Sequence, residues 1–128
     1  MAKIAVYGSL RKGFHNHSLI ENSTFLGEFK TEPIYKLFSL GSFPGVYKGG
    51  NTPLTLEVYE VDNHTAERVD MLEGYSEDNQ PTQNFYNKEM IETPFGEAGI
   101  YLYGLGVGVP NPNAVVESGD WAEYKNRK

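Results

Sequence analysis

Two short stretches carry residue types able to do chemistry, and they lie far apart in the chain. The first is Tyr7-Gly8-Ser9-Leu10, which follows the apolar run Ile4-Ala5-Val6. A buried strand running into a glycine-permitted turn can aim successive N–H groups at one point, and such a backbone nest holds an anion. Gly8 also has no Cβ to keep a ligand away from the backbone. The second stretch is Leu72-Glu73-Gly74-Tyr75. Glu73 falls at the C-terminal end of an expected helix, where the macrodipole disfavours a carboxylate. Asp70 lies three residues earlier, on the same side of that helix. Both effects raise the pKa of Glu73, and burial raises it further. A carboxyl group poised near neutrality suits general acid–base work. Either stretch alone has a plainer reading, as a simple turn or a solvated helix end.

The other candidate groups are weaker. His15-Asn16-His17 offers two histidines with no third ligand nearby, so these read as surface residues at a helix start and no metal site is expected. Ser9 has no histidine spaced to activate it, which leaves it a hydrogen-bonding role. The Gly104-Leu105-Gly106-Val107-Gly108 run follows a strand but opens no helix, unlike a phosphate loop. With no cysteine among the 128 residues there is no disulfide framework, thiol nucleophile or cysteine metal site. The net charge of −6 argues against a nucleic-acid surface, which needs clustered positive charge. Basic residues cluster only at Arg11-Lys12 and in the 125–128 tail. The start of the chain is too short and mixed for a signal peptide, and no run approaches a membrane span. The three Asn-x-Ser/Thr matches, at Asn16, Asn22 and Asn63, therefore read as chance. A soluble cytoplasmic protein is expected.

The elements that must position the two stretches follow from periodicity. Residues 3–7 are mostly apolar rather than alternating, as in a central strand. His15–Asn22 reads as a short helix or turn with Leu19 and Ile20 inward. Phe25–Thr31 is strand-like but interrupted by Gly27, which predicts a bulge. Tyr35–Leu40 is a third strand, and the glycine-rich 41–50 stretch reads as loop. Pro53–Asp62 alternates as a strand. The clearest helix is Asn63–Leu72, capped by Asp62 or Asn63, with Ala66, Val69 and Leu72 on one face and Gly74 as its stop. Residues 76–84 and 104–113 are polar or glycine-rich loops. Phe85–Thr93 and Gly99–Tyr103 pair as a hairpin through Pro94-Phe95-Gly96. Val115, Val116 and Trp121 pack the C-terminal segment onto the core. One domain, 1–128, of α+β class is expected, with about six strands in a small curved sheet or barrel and one or two short helices.

Taken together, the Tyr7–Leu10 loop and Glu73 in its Leu-Glu-Gly-Tyr context resemble the gamma-glutamylcyclotransferase-like family. The likeness continues through Gly41–Gly45, Glu57–Asp62, Ile100–Tyr103 and Glu117–Trp121, in order along nearly the whole chain. It implies a mixed barrel of about six strands with helices outside. It also implies an enzyme that needs no metal or organic cofactor and takes a small gamma-glutamyl amine as its partner molecule. In that chemistry the α-amino group attacks the γ-carbonyl, releasing 5-oxoproline and the free amine. Glu73 matches the acid–base residue, and Tyr7, Gly8, Ser9 and Leu10 match the loop that holds the α-carboxylate.

Tyr86 begins what is a Tyr-x-Arg motif in many relatives, but Lys88 stands at the third position. Lysine keeps the charge and loses the planar fork of arginine. Tyr75 and Tyr86 join the expected substrate pocket, with Tyr101, Tyr103, Phe43 and Pro44 as further wall residues. Two rival readings stay open on the sequence: a binding protein that retains the pocket without turnover, and an interaction scaffold in which the loop and Glu73 are remnants.

Overall fold

The computed structural model describes residues 2–40, 43–76, 78, 85–103 and 115–126. The expected 104–113 loop with its glycine run lies outside these residues, as do most of the 76–84 loop and the last two residues of the basic tail. Among these residues seven strands and two α-helices are formed: β1 Ala2–Val6, β2 Thr24–Lys30, β3 Tyr35–Ser39, β4 Pro44–Lys48, β5 Thr55–Val61, α1 Asn63–Leu72, β6 Tyr86–Thr93, β7 Gly96–Tyr103 and α2 Trp121–Asn126. A one-turn 3-10 helix covers His17–Leu19.

Five strands make one sheet in the order β2-β5-β1-β7-β6, and β3 pairs with β4 in a separate hairpin. β1 is central, antiparallel to β5 and parallel to β7. Its near-continuous apolar run has a simple cause, because the sheet is covered on both faces. Ala5 and Tyr7 join Leu56, Val58 and Ile100 on the face that meets Leu37, Val46 and Trp121. Ile4 and Val6 join Tyr59, Val61 and Tyr101 on the face that meets Ile20 and Val69. The hairpin, the C-terminal segment and α2 thus cover one face, while α1 and the 3-10 turn cover the other.

The expected barrel is not closed among the described residues. β2 and β6 end the sheet with no backbone ladder between them. The sheet curls nonetheless. An added Cβ on Gly27 of β2 would fall 2.3 Å from Cζ of Phe95, which sits in the turn between β6 and β7. That ring covers the opposite edge at the point where the β2–β5 register slips between Phe25 and Gly27. The glycine bulge expected in β2 is therefore present, and it accommodates an aromatic ring.

Two local expectations change. The glycine-rich 41–50 stretch contains β4, because Pro44, Gly45 and Val46 are buried and pair with Ser39, Phe38 and Leu37. Glycine there makes room: an added Cβ on Gly45 would lie 2.7 Å from Phe38. On α1, Val69 is fully buried, whereas Leu72 is 45% exposed. The helix is otherwise as expected, with the Asp62 carboxylate accepting from the Thr65 N–H at 2.7 Å and Gly74 turning the chain at φ 66°. The hairpin is also as expected, with Thr93 opposite Gly96 across Pro94-Phe95.

Candidate active site

The β1 end, the α1 end and the start of β6 converge on a cavity of about 240 Å³. Tyr7, Gly8, Ser9, Leu10, Glu73 and Tyr86 all line it. Six of the seven residues expected at a site are thus brought together across 79 positions of sequence, from Tyr7 to Tyr86. Tyr75 is not on the wall. Its ring packs edge-on against Tyr101, centroids 6.5 Å apart, and Tyr101 lines the cavity in its place. Phe43 and Pro44 form wall as expected, whereas Tyr103 packs edge-on against Phe38 and Phe85.

The Tyr7–Leu10 loop is a tight turn, with the Arg11 N–H donating to the Gly8 carbonyl at 2.9 Å. The N–H groups of Gly8, Ser9 and Leu10 bond to no described residue, and the loop lines the cavity. Gly8 is required for a reason the sequence did not disclose. An added Cβ would meet Pro44 Cγ at 2.6 Å, so the missing side chain admits β4 as a second wall. Tyr86 then ties the same proline to β6, its hydroxyl donating to the Pro44 carbonyl at 2.6 Å.

In the His15–His17 segment His15 is exposed as expected, whereas Asn16 and His17 frame the loop. Asn16 Nδ2 donates to Ser9 Oγ at 2.8 Å, and the Asn16 N–H donates to the Ser9 carbonyl at 3.0 Å. His17 Nδ1–H donates to the Leu10 carbonyl at 2.9 Å. Ser9 makes no contact with a base, consistent with a polar wall residue. Among the described residues no group of three His, Cys, Asp or Glu is arranged to hold a metal.

Glu73 receives no hydrogen bond from any described residue. Its pKa is raised to about 7, through burial first and the neighbouring Asp70 charge second. Burial, which the sequence adds to the dipole and to Asp70, is thus the largest cause. Three tyrosines surround the carboxyl group. Tyr7, Tyr86 and Tyr101 are each driven upward, by burial most of all and by the Glu73 charge in part, so all three stay neutral. Tyr7 donates to the Tyr101 carbonyl at 2.5 Å, and Tyr101 donates to Asp70 Oδ1. Lys88 Nζ lies 3.3 Å from the same Asp70 oxygen and 5.7 Å from the Tyr101 ring centroid. Lys88 therefore stands behind the cavity, against Asp70, and is not part of the lining.

Sequence reasoning missed Arg11. Its guanidinium is buried, with Nε 2.8 Å from Glu57 Oε2, one Nη 2.9 Å from Asp120 and the other 3.5 Å from Glu28. The Lys12 N–H and the Tyr59 hydroxyl complete the Glu57 carboxylate at 3.0 and 2.8 Å. This cluster clamps the outgoing end of the Tyr7–Leu10 turn onto β5 and the start of α2. The sequence held little signal, because Glu57 falls at a polar position of an alternating strand that also carries Thr55 and Glu60; its burial is what calls for a cation.

A curled mixed sheet thus brings a tight turn with unbonded N–H groups and an unpaired carboxyl group to one cavity. The family model described as gamma-glutamyl cyclotransferase, AIG2-like, matches residues 4–123, and the chain belongs to that family. An Escherichia coli gamma-glutamylcyclotransferase family protein, YtfP, is 36% identical over 121 residues, covering 94% of this chain and 96% of that one. A Vibrio cholerae protein provisionally named a gamma-glutamylcyclotransferase is 39% identical over 120 residues, covering 94% and 95%. The crystal structure of an uncharacterised Pyrococcus horikoshii protein superposes with a TM-score of 0.78 at 32% identity, over 99% of this chain and 95% of that one. Among the described residues no helix is long and apolar enough to cross a membrane.

Proposed function

We propose that the protein is a cofactor-independent cyclotransferase that cleaves a gamma-glutamyl amine to 5-oxoproline and the free amine. The observation that supports this reading is the shared cavity, which is lined both by Gly8–Leu10, whose N–H groups bond to no described residue, and by Glu73. The loop amides hold the substrate's α-carboxylate, and the facing cavity walls keep the flexible gamma-glutamyl chain curled. Ring closure within one bound molecule gains greatly from such positioning. The Glu73 carboxylate takes a proton from the α-ammonium. The freed amine attacks the γ-carbonyl carbon and closes a five-membered ring. As the bond from that carbon to the leaving nitrogen breaks, Glu73 passes its proton to the departing amine. The extra proton on the new ring nitrogen follows through the same carboxylate, so the amine leaves as an ammonium and Glu73 is ionised again. A carboxyl group with a pKa of about 7 suits both transfers at neutral pH.

Tyr7 and Tyr86 have already committed their protons to backbone carbonyls, so they shape the cavity and offer oxygen lone pairs rather than donors. The lysine at the Tyr-x-Arg position does not weaken the reading, because Lys88 lies outside the lining. In this view the curled sheet with the β3–β4 hairpin across it is the small barrel on which the site is built.

The test is 5-oxoproline release from a panel of gamma-glutamyl amines by the wild-type protein and a Glu73→Gln variant. The variant is expected to lose about 10²–10⁴-fold in kcat while binding substrate as before. Undiminished turnover by Glu73→Gln, or none by the wild type with any amine, would overturn the proposal.

A further inference from the structure

Resting on that reading, we infer that Asn16 is a positioning residue for the anion site of the Tyr7–Leu10 loop. It fixes the polarity of Ser9, so that the serine hydroxyl joins the loop amides as a donor to the substrate's α-carboxylate. A hydroxyl carries one proton and two lone pairs, and unconstrained it rotates to suit either kind of partner. Here Asn16 Nδ2 donates to Ser9 Oγ at 2.8 Å and engages a lone pair. The Ser9 proton must then point away from that amide, and no described residue accepts it. Ser9 and Asn16 both line the cavity, so the proton is offered to an acceptor bound there.

The backbone of the same residue directs the amides. The Asn16 N–H donates to the Ser9 carbonyl at 3.0 Å. The C=O and N–H of a trans peptide point in opposite directions, so this bond turns the Leu10 N–H away from Asn16. Asn16 is itself anchored, its carbonyl accepting from the Leu19 N–H at 3.1 Å where the 3-10 turn begins. Among the described residues no Lys or Arg lines the cavity, so a carboxylate there depends on neutral donors and each one counts. An amide at position 16 also has the right chemistry. Aspartate would accept the Ser9 proton and set another anion beside the ligand, and an apolar residue would leave the hydroxyl free to rotate.

The experiment is a double-mutant cycle on Ser9→Ala and Asn16→Leu. It is read by calorimetric titration with 5-oxoproline, which carries the carboxylate, and by the kinetics of 5-oxoproline release. Asn16→Leu keeps the volume and the backbone bond to the Ser9 carbonyl, and removes only the amide. Ser9→Ala is expected to weaken 5-oxoproline binding by about tenfold or more, the scale of a hydrogen bond to a charged group. Asn16→Leu is expected to weaken it by about threefold or more, and to raise KM with kcat little changed. In the Ser9→Ala background the same change should add nothing, because its effect passes through the serine hydroxyl. A residue that merely supported the loop would weaken binding whatever stands at position 9. Should Asn16→Leu not fold, Asn16→Ala removes the same amide and closes the same cycle. Wild-type affinity in the position-16 variant, an equal loss in both backgrounds, or a fall in kcat at constant KM would overturn this inference. The cyclotransferase reading survives each of those results as long as the wild type releases 5-oxoproline. If it releases none, that reading fails and the calorimetric cycle alone decides the role of Asn16. No binding of 5-oxoproline by the wild type then overturns the inference too.

Discussion

Glu57 and Glu73 are two inward-facing glutamates treated in opposite ways by the same fold. Glu57 accepts from the Arg11 guanidinium, the Lys12 N–H and the Tyr59 hydroxyl, so its carboxylate is fully engaged. Glu73 accepts from nothing among the described residues and faces a second carboxylate, Asp70. One is a structural anion whose partners are consumed in holding a loop. The other is an anion kept uncomfortable, and a discomforted carboxyl group near neutrality is the one able to exchange protons. The two clusters meet at Tyr7–Leu10: the first fixes the loop's outgoing end, and the second faces the cavity that the loop lines.

The most damaging way to break this comparison is to remove the compensation at Glu57. Arg11→Met leaves that carboxylate buried and unpaired, and is expected to cost roughly 3–5 kcal/mol in denaturant unfolding. Adding Glu57→Leu to it should recover much of the loss, because an apolar pair of similar volume needs no counter-charge. If Arg11→Met unfolds like the wild type, the cluster is not what holds the loop.

Glu73→Gln should act in the other direction on stability. A carboxyl group whose folded pKa of about 7 exceeds its ordinary 4.5 holds a proton in that window which the unfolded chain has released. Stability therefore falls as pH rises from about 4.5 to 7, and the full penalty persists above it. The variant is expected to be the more stable protein at pH 8, by on the order of 2 kcal/mol, and to lose this pH dependence. Melting curves at pH 5 and pH 8 for both proteins check it.

Asp70→Asn sharpens the comparison rather than breaking it. It removes the charge that adds to burial at Glu73, so the acidic limb of the kcat/KM profile for 5-oxoproline release should move to lower pH. An unmoved limb would mean that burial alone sets the value. The smallest effect belongs to Lys88→Arg. This pair is partly exposed and meets Asp70 through one oxygen, so the change in stability should stay within about 1 kcal/mol, measured by thermal melting. A large loss of turnover in Lys88→Arg would show that the position matters to the site after all.

Much of this was legible from local sequence. Asp62 as cap, Val69 as buried face and Gly74 as stop delimit α1, because a helix needs its end groups satisfied by near neighbours. The apolar run before Tyr7 marks a strand covered on both faces, and Gly27 marks the bulge in β2. Glu73 beside Asp70 at a helix end is electrostatically awkward, but it could be singled out only together with the Tyr7–Leu10 loop. Apart from that pairing, these conclusions depend on residues a few positions apart, where chain geometry leaves few choices.

The remainder was decided by contacts that cross the chain. Arg11 reads in the sequence only as half of a basic pair, until Glu57 and Asp120, 46 and 109 positions away, enclose it. Of the expected wall tyrosines Tyr75, Tyr101 and Tyr103, Tyr101 lines the cavity and the other two do not, because the placement of β7 beside β1 determines which ring reaches it. Gly8 is glycine on account of Pro44, and Pro44 belongs to a strand that its glycine-rich surroundings disguised as loop. The sequence by itself determined which residue types and which local elements were available for chemistry. Only the tertiary structure decided how far water is withdrawn from Glu73 and which cations are already engaged, because both depend on what the distant parts of the chain bring to the same place.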